Sequence, residues 1–261
     1  TWRWDESDFR PGLFGVLHET GHGLYEQGLP DLPRGNPLAA TISTLVHESQ
    51  ARFWENHVGR SLGFWRGFTP GFLEHFPDTP LRTPEAIWED VNVAARSPIR
   101  VDADETTYDL HIAVRYRLER ALFEESLPVP ELEDAWADLY AELLGLRPRD
   151  PLEGVLQDVH WAAGLFGYFP TYTLGNLAAA QLRESMEGEL GSLDEAVRGL
   201  ETGPLLEWLR REIHGHGARE DGLTLIERVT HRPLDIDAFV RRLDALQERR
   251  RALSTSSGAS P

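Results

Sequence analysis

Two histidines four residues apart constrain this chain more than any other feature of its sequence. Residues 18–22 read His-Glu-Thr-Gly-His, an H-E-x-x-H pattern within FRPGLFGVLHETGHGLYEQG. On an α-helix, residues i and i+4 share one face, so His18 and His22 can aim both imidazoles at one point. Two imidazole nitrogens beside an open position for water suit a catalytic Zn²⁺ ion. Glu19, about 100° around the helix from His18, is then placed to take a proton from that water. The competing interpretation is a pair of core histidines on an amphipathic helix.

A catalytic zinc site needs a third protein ligand, and the sequence narrows the choice. Metzincins continue H-x-x-G-x-x-H, but Tyr25 and Gly28 stand where that motif has its glycine and its last histidine. The remaining arrangement takes a glutamate from a second helix. Residues 38–58 predict such a helix, with Asn36 as its N-cap and Pro37 at its first position.

Two acidic residues on this second helix are candidates for the third ligand. Glu48 lies mid-helix, in VHESQARFWEN, and is predicted to reach the metal. Glu55 lies two turns further on and is expected at the surface or between helices. The alternative for Glu48 is an ordinary solvated glutamate, the usual fate of a helical glutamate.

Composition excludes several functional classes. The chain has 261 residues, 41% of them hydrophobic, which is enough for a sizeable core and too much for disorder. A net charge of −17 argues against nucleic acid and anionic membrane surfaces as partners. No apolar run is long enough to span a bilayer, and no signal peptide is recognised. Cysteine is absent, which fits a cytoplasmic protein.

The rest of the chain predicts helices in series, so the fold class is mainly α with one small β element. The β element is residues 97–101, and residues 64–80 form an aromatic stretch broken by glycine and proline. We expect a catalytic domain over residues 1–253 and a disordered tail over 254–261. Further helices are predicted from residue 84 and over residues 106–125, 130–145, 171–190, 192–200, 203–214, 222–229 and 235–252.

Two further segments carry polar and aromatic groups that an ordinary core does not need. In residues 99–108, IRVDADETTY, Arg100 is a candidate fork for a substrate carboxylate, or else pairs with Asp102 or Asp104. Residues 154–176, GVLQDVHWAAGLFGYFPTYTLGN, bring tyrosine and histidine side chains of the kind that donate to an oxyanion facing zinc. The alternative for this segment is a packed aromatic turn with satisfied hydroxyls.

Together, HETGHGLYEQGLP, HESQARFWENHVGRS, IRVDADETTYDLHI and GVLQDVHWAAGLFGYFPTYTLGN resemble the carboxypeptidase Taq family of zinc metallocarboxypeptidases. The resemblance covers residues 1–250, with the four motifs in order. It implies a gluzincin-like helical metallopeptidase with a small β element beside the metal. It also implies His18, His22 and Glu48 as metal ligands and Glu19 as general base.

The same resemblance implies the reaction and its setting. Family members release single residues from peptides with a free C-terminus, use Zn²⁺ or in some cases Co²⁺, and act as cytoplasmic homodimers. Substrate-binding and transition-state residues would fall at Arg100, Gln157, His160 and Tyr168. Tyr172 is an alternative to His160 or Tyr168 as the oxyanion donor.

The chain departs from the family at its start. Family members carry a helical half before the metal helix, ending in D-x-R-x-T, and Thr1 would match only the last residue of that motif. We therefore expect a fragment or a shortened homologue that lacks part of the exopeptidase specificity. Two alternatives to a metallocarboxypeptidase stay open, a metalloendopeptidase of the same H-E-x-x-H class and a catalytically silent zinc-stabilised module.

Overall fold

The computed structural model describes residues 5–124 and 127–257. They form two compact units, the first from residues 5–92 and 174–257, and the second from residues 93–124 and 127–173. The domain boundaries predicted from the sequence, 1–253 with a tail from 254, stay a prediction. The last helix ends at Ser257, and Thr1 and residues 258–261 lie outside the described residues.

Helices build both units, which confirms the mainly α prediction. No helix in the described ranges is long and apolar enough to cross a membrane. The first unit contains α1 (Phe9–Gln27), α2 (Thr44–Arg52), α3 (Leu62–His75) and α4 (Pro84–Val91). The second contains α5 (Tyr108–Phe123) and α6 (Leu132–Leu143). Then follow α7 (Pro170–Leu190, in the first unit from Leu174 onwards), α8 (Leu193–Arg198), α9 (Gly203–Glu212), α10 (Gly222–Thr230) and α11 (Asp237–Ser257).

The predicted β element is wrong, because no residue that the structure describes belongs to a strand. Within residues 97–101, Pro98 has no N–H to give a ladder, and the Ile99 N–H donates to Ser97 Oγ. The chain then turns through a 3₁₀ segment, Arg100–Asp102. The backbone N–H of Arg100 donates to the Gln157 side chain at 2.9 Å. Local turns and one side chain therefore take up the hydrogen bonds that a strand would need.

The predicted second helix over residues 38–58 is divided in the structure. Asn36 does act as an N-cap, but for a short 3₁₀ segment, Pro37–Ala39. The helix α2 starts only at Thr44, where Ser43 Oγ accepts from Val46 N. After Arg52 the chain continues as a π-helix, Phe53–Gly59. Serine at the N-cap and not Pro37 sets where Glu48 sits along α2.

The aromatic stretch over residues 64–80, predicted to be broken by glycine and proline, is helical up to His75, within α3. Trp65, Phe68 and Phe72 follow an i, i+3, i+7 spacing and pack in one hydrophobic cluster with Trp88 of α4. Pro70 lies inside α3 despite lacking the N–H that a helix uses. Burial of this aromatic stripe outweighs the local cost of the proline.

Two glycines let neighbouring helices approach α2. A Cβ atom on Gly21 of α1 would lie 2.6 Å from both Ala51 Cα and Gln50 O. A Cβ atom on Gly175 of α7 would lie 2.7 Å from Glu48 Cγ. Both distances are shorter than carbon atoms tolerate, so only glycine fits. The backbones of α1 and α7 therefore pack directly against the helix that carries Glu48.

We expect Gly21→Ala to lower the free energy of unfolding by about 1–3 kcal/mol, because the new methyl group overpacks the α1–α2 contact. Gly23→Ala is the matched control, since Gly23 lies on the same helix with nothing within 4 Å of its Cβ direction. Gly23→Ala should raise the free energy of unfolding by roughly 0.5–1 kcal/mol through helix propensity alone. Chemical denaturation measures both values, and equal stabilisation by both substitutions would contradict the close approach.

Candidate metal centre

The helix α1 presents His18 and His22 on one face. Asp8 caps this helix by accepting from Arg10 N, and the Gly28 N–H closes it onto Leu24 O. One turn of helix separates the two histidines, and their Nε2 atoms lie 3.1 Å apart. The two rings cross nearly at right angles, with centroids 4.7 Å apart. The H-E-x-x-H pattern therefore delivers two converging imidazole nitrogens, as its spacing predicts.

Glu48 of α2 completes a three-residue group with these histidines. One of its carboxylate oxygens lies 3.8 Å from His18 Nε2, and the other lies 3.8 Å from His22 Nε2. One ligand atom from each residue falls within 4.8 Å of the others. Glu48 is only 4% exposed, so its carboxylate is surrounded by protein atoms and has little contact with solvent.

This group has the chemistry and spacing of a site for a divalent metal. Two imidazoles and one carboxylate are a donor set that zinc uses in catalytic sites, with a further position left for water. Zn–N bonds of about 2.0–2.1 Å in a tetrahedron place two nitrogen ligands about 3.3 Å apart. The observed 3.1 Å between the two Nε2 atoms is close to that value. The residues present therefore fit a divalent metal without rearrangement of α1.

His22 is held in the neutral form that a metal ligand requires. Burial, together with the nearby His18 and His47 rings, lowers the pKa of His22 to about 4. A histidine with a lowered pKa is uncharged at neutral pH and keeps a lone pair on one ring nitrogen. His22 therefore carries no positive charge that would repel a cation.

Glu55 stands behind His18. Its Oε2 atom lies 2.9 Å from His18 Nδ1, the ring nitrogen that does not face His22. Arg52 donates to Glu55 at 3.0 Å and to Glu48 at 3.1 Å, so one guanidinium links the two carboxylates. Burial raises the pKa of Glu55, but Arg52 and His18 outweigh it and lower the pKa to about 2. Glu55 is therefore an ionised partner of His18 that lies between the π-helix and α1, which is the second of the two positions expected from the sequence.

His47 stands behind His22 in a similar way. Its Nδ1 atom lies 2.5 Å from His22 Nδ1, and its Nε2 atom lies 3.0 Å from Glu26 Oε1. Glu26 follows His22 by four residues on α1, and His47 directly precedes Glu48 on α2. Helical spacing places Glu26 on the same face of α1 as His22, whereas His47 reaches His22 only through the packing of α2 on α1.

In the second unit, Arg100 pairs with a carboxylate that lies 58 residues further along the chain. Its Nε and Nη2 atoms donate to Asp158 Oδ1 at 3.0 and 2.7 Å, and its Nη1 atom donates to Tyr108 Oη at 2.8 Å. Arg115 of α5 also binds Asp158, at 2.6 Å. Asp158 thus takes the place predicted for Asp102 or Asp104. Burial works against the charge of Arg100, but Tyr108 and Asp158 outweigh it and raise its pKa.

Gln157 holds the loop that carries this ion pair. Its Oε1 atom accepts from the Arg100 backbone, and its Nε2 atom donates to Pro98 O and Glu153 O. The same Nε2 atom also donates to Tyr140 Oη at 3.1 Å. Among the described contacts Gln157 therefore positions the backbone around Arg100.

His160, Tyr168 and Tyr172 cluster at one place in the second unit. The hydroxyl of Tyr172 and His160 Nε2 lie 2.9 Å apart. The His160 and Tyr168 ring centroids are 5.4 Å apart, and the Tyr168 and Tyr172 centroids are 5.5 Å apart. Burial and the nearby Arg100 lower the pKa of His160. The three side chains singled out as oxyanion donors are thus neighbours of one another.

Comparison with known proteins decides the family. The sequence profile of carboxypeptidase Taq (M32) metallopeptidases matches residues 1–246. This chain belongs to that family. The resemblance drawn from the four motifs is thereby confirmed, and the His18, Glu48 and His22 group lies within the matched region.

Individual members of the carboxypeptidase Taq family show how similar the chain is. It is 52% identical over 230 residues to thermostable carboxypeptidase 1 of Thermus thermophilus, covering 88% of this chain and 45% of that protein. It is 40% identical over 240 residues to carboxypeptidase 1 of Bacillus subtilis, covering 90% and 47%. The crystal structure of the M32 carboxypeptidase from Deinococcus radiodurans R1 matches with a TM-score of 0.90 and 40% identity, covering 94% of this chain and 50% of that one. The chain spans about half the length of the relatives it matches.

Proposed function

We propose that this chain carries the metal centre of a zinc-dependent metallocarboxypeptidase that hydrolyses C-terminal residues from peptides. The observation that carries the proposal is the convergence of His18, His22 and Glu48 within 4.8 Å. Membership of a metallopeptidase family and relatives named carboxypeptidases support both the hydrolysis and its direction along the peptide.

The ligand set supports Zn²⁺ as the metal, with Co²⁺ as an alternative. His18, His22 and Glu48 supply the two nitrogens and one oxygen that catalytic zinc uses. Zinc in this position supplies a Lewis acid that polarises the scissile carbonyl and lowers the pKa of water. The chain's own residues then handle the proton and orient the peptide.

Glu19 is the proposed general base. It lies on α1 directly after His18 and is exposed, so its carboxylate can meet a water molecule and a substrate. It takes the proton from water as the oxygen attacks the scissile carbonyl, and it returns that proton to the leaving amine. His160 and Tyr168, with Tyr172 as the alternative, are proposed to donate hydrogen bonds to the oxyanion.

Arg100 is proposed to bind the terminal carboxylate of the peptide. The Gln157 side chain holds the backbone of Arg100 in place. Contacts with Asp158 and Tyr108 account for three of its N–H groups, and an arginine has five. Arginine can form a bidentate pair with a carboxylate, which suits recognition of a free C-terminus.

For Arg100→Ala we expect kcat/KM on free-acid peptides to fall. The decrease should correspond to a loss of about 1.5–3 kcal/mol of transition-state stabilisation. Peptides amidated at the C-terminus should barely change, because they offer no carboxylate to lose. Arg117→Ala is a suitable control, since Arg117 is an exposed arginine on α5 that pairs with Glu142. Equal loss on acid and amide peptides would assign Arg100 a structural role through Asp158.

The direct test of the proposal joins metal content to hydrolysis. The protein is stripped with a chelator, assayed, reloaded with one equivalent of zinc and assayed again. Hydrolysis that appears only with bound zinc supports the proposal, and hydrolysis that persists in the stripped protein contradicts it. A homodimer and a cytoplasmic location remain predictions that accompany the family resemblance.

A further inference from the structure

His22 and His18 each have a carboxylate behind the imidazole, but the two carboxylates act at different distances. Glu55 contacts His18 Nδ1 directly at 2.9 Å. Glu26 is separated from His22 by the whole ring of His47, which lies 2.5 Å from His22 and 3.0 Å from Glu26. All five residues belong to the first unit. The H-E-x-x-H pattern does not require His47 or Glu26.

Glu26, His47 and His22 form a row of hydrogen-bonded side chains. The donor and acceptor roles along this row follow from the carboxylate of Glu26 at its outer end. An ionised carboxylate only accepts hydrogen bonds, so Glu26 requires the proton of His47 to sit on Nε2. With the ring proton on Nε2, the lone pair of His47 lies on Nδ1, which then accepts. Since His22 Nδ1 faces that lone pair at 2.5 Å, the His22 proton must sit on Nδ1. The lone pair of His22 is left on Nε2, the atom that faces His18 and Glu48.

We propose that His47, backed by Glu26, is a positioning residue that fixes the tautomer and ring orientation of His22 as a metal ligand. His47 does not touch the metal itself, because both of its ring nitrogens are taken by His22 and Glu26. The nitrogen that a histidine offers to a metal is set by the hydrogen bond of its other nitrogen. This inference rests on the proposed metal centre and adds the residue that prepares one of its ligands.

The surroundings of His47 suit a fixed relay. Its ring meets the buried Tyr25 ring edge-on, with centroids 5.2 Å apart, and its side chain is 24% exposed. Glu26 is 56% exposed, so the row runs from the metal centre to a solvated carboxylate. Packing against Tyr25 restricts rotation of the His47 ring.

The test measures zinc affinity of the stripped protein by competition with a chelator of known affinity. His47→Phe keeps a ring but offers no acceptor, and we expect zinc affinity to fall by roughly 10–100-fold. His47→Asn places a carbonyl oxygen where Nδ1 was, and it should recover most of that loss. His75→Phe is the control, because the exposed His75 contacts only Gly71 O among the described hydrogen bonds. Glu26→Gln should weaken zinc binding by less than His47→Phe.

A second readout separates positioning from simple support of the fold. Nitrogen NMR of histidine in the metal-free protein distinguishes a proton on Nδ1 from one on Nε2. The wild type should show His22 protonated on Nδ1 alone, His47→Asn should keep this form, and His47→Phe should give a mixture.

The outcomes distinguish this inference from the proposed function. Equal zinc affinities in the wild type, His47→Phe and His47→Asn would overturn the role of His47 while leaving the metal centre intact. His22 protonated on Nε2 in the wild type would overturn it as well. Failure of the wild type to bind zinc at all would overturn the proposed function and this inference together.

Discussion

Replacing His22 with alanine is expected to abolish stoichiometric zinc binding. A catalytic zinc site needs three protein ligands, and His22→Ala leaves only His18 and Glu48. Removing a residue that only holds a metal ligand in place lowers metal affinity by about 10–100-fold. Removing a ligand itself should therefore lower zinc affinity by more than roughly 100-fold. Elemental analysis after gel filtration gives the metal content, and competition with a chelator gives the affinity. His18→Ala should behave in the same way.

The third ligand can be identified by a matched pair of substitutions on α2 and the π-helix that follows. Glu48→Gln should lose zinc as His22→Ala does, since its carboxylate lies 3.8 Å from both Nε2 atoms. Glu55→Gln should keep zinc with weakened affinity, because Glu55 contacts the far nitrogen of His18. If Glu55→Gln loses the metal and Glu48→Gln keeps it, Glu55 and not Glu48 is the third ligand.

Replacing Glu19 with glutamine should leave zinc in place and remove most of the hydrolysis. Glutamine keeps the size of the side chain but cannot accept a proton at neutral pH. We expect kcat to fall by roughly 10²-fold or more, the scale of general base catalysis. Zinc content and kcat are measured on the same preparation, so loss of the metal and loss of the base are told apart.

A matched control for this substitution is Glu85→Gln, in the first turn of α4, where Glu85 is a partly exposed partner of Arg66. It should leave both zinc content and turnover unchanged. Normal turnover in Glu19→Gln would remove Glu19 from the mechanism, whatever the fate of the metal ligands.

Much of the candidate site followed from helical spacing alone. The i, i+4 relation of His18 and His22 is a local property of one helix, so the sequence predicts it directly. The choice of Glu48 was harder, because it depends on where α2 starts and how closely it packs on α1. Ser43 sets that start and Gly21 permits that packing, and helical spacing alone predicts neither role.

The errors have a common physical cause, which is that contacts distant in sequence override local pattern. Residues 97–101 look β-branched, yet the Gln157 side chain takes the Arg100 N–H that a strand partner would take. Arg100 was given acidic partners a few residues away, while its actual partner, Asp158, is 58 residues further along. Pro70 suggested a break, but the aromatic stripe around it is buried as a helix.

The partners behind the ligands were missed for a different reason. Glu55 and His47 contact the ring nitrogens of His18 and His22 that do not face Glu48, and the H-E-x-x-H motif carries no information about those nitrogens. Helical geometry nevertheless places Glu26 one turn after His22 on α1. A histidine that binds a metal through one ring nitrogen usually has a hydrogen-bond partner at the other nitrogen. This rule predicts that each histidine of the pair has such a partner.

Carboxypeptidase activity is tested most directly by mass spectrometry of a peptide incubated with the zinc-loaded protein. One peptide is supplied both as the free acid and as the C-terminal amide. A metallocarboxypeptidase should give a ladder of products shortened one residue at a time from the C-terminus, formed from the free acid and not from the amide. Internal cleavage of both peptides would indicate an endopeptidase, and intact peptides with one equivalent of bound zinc would indicate a catalytically silent module. Either result would contradict a metallocarboxypeptidase.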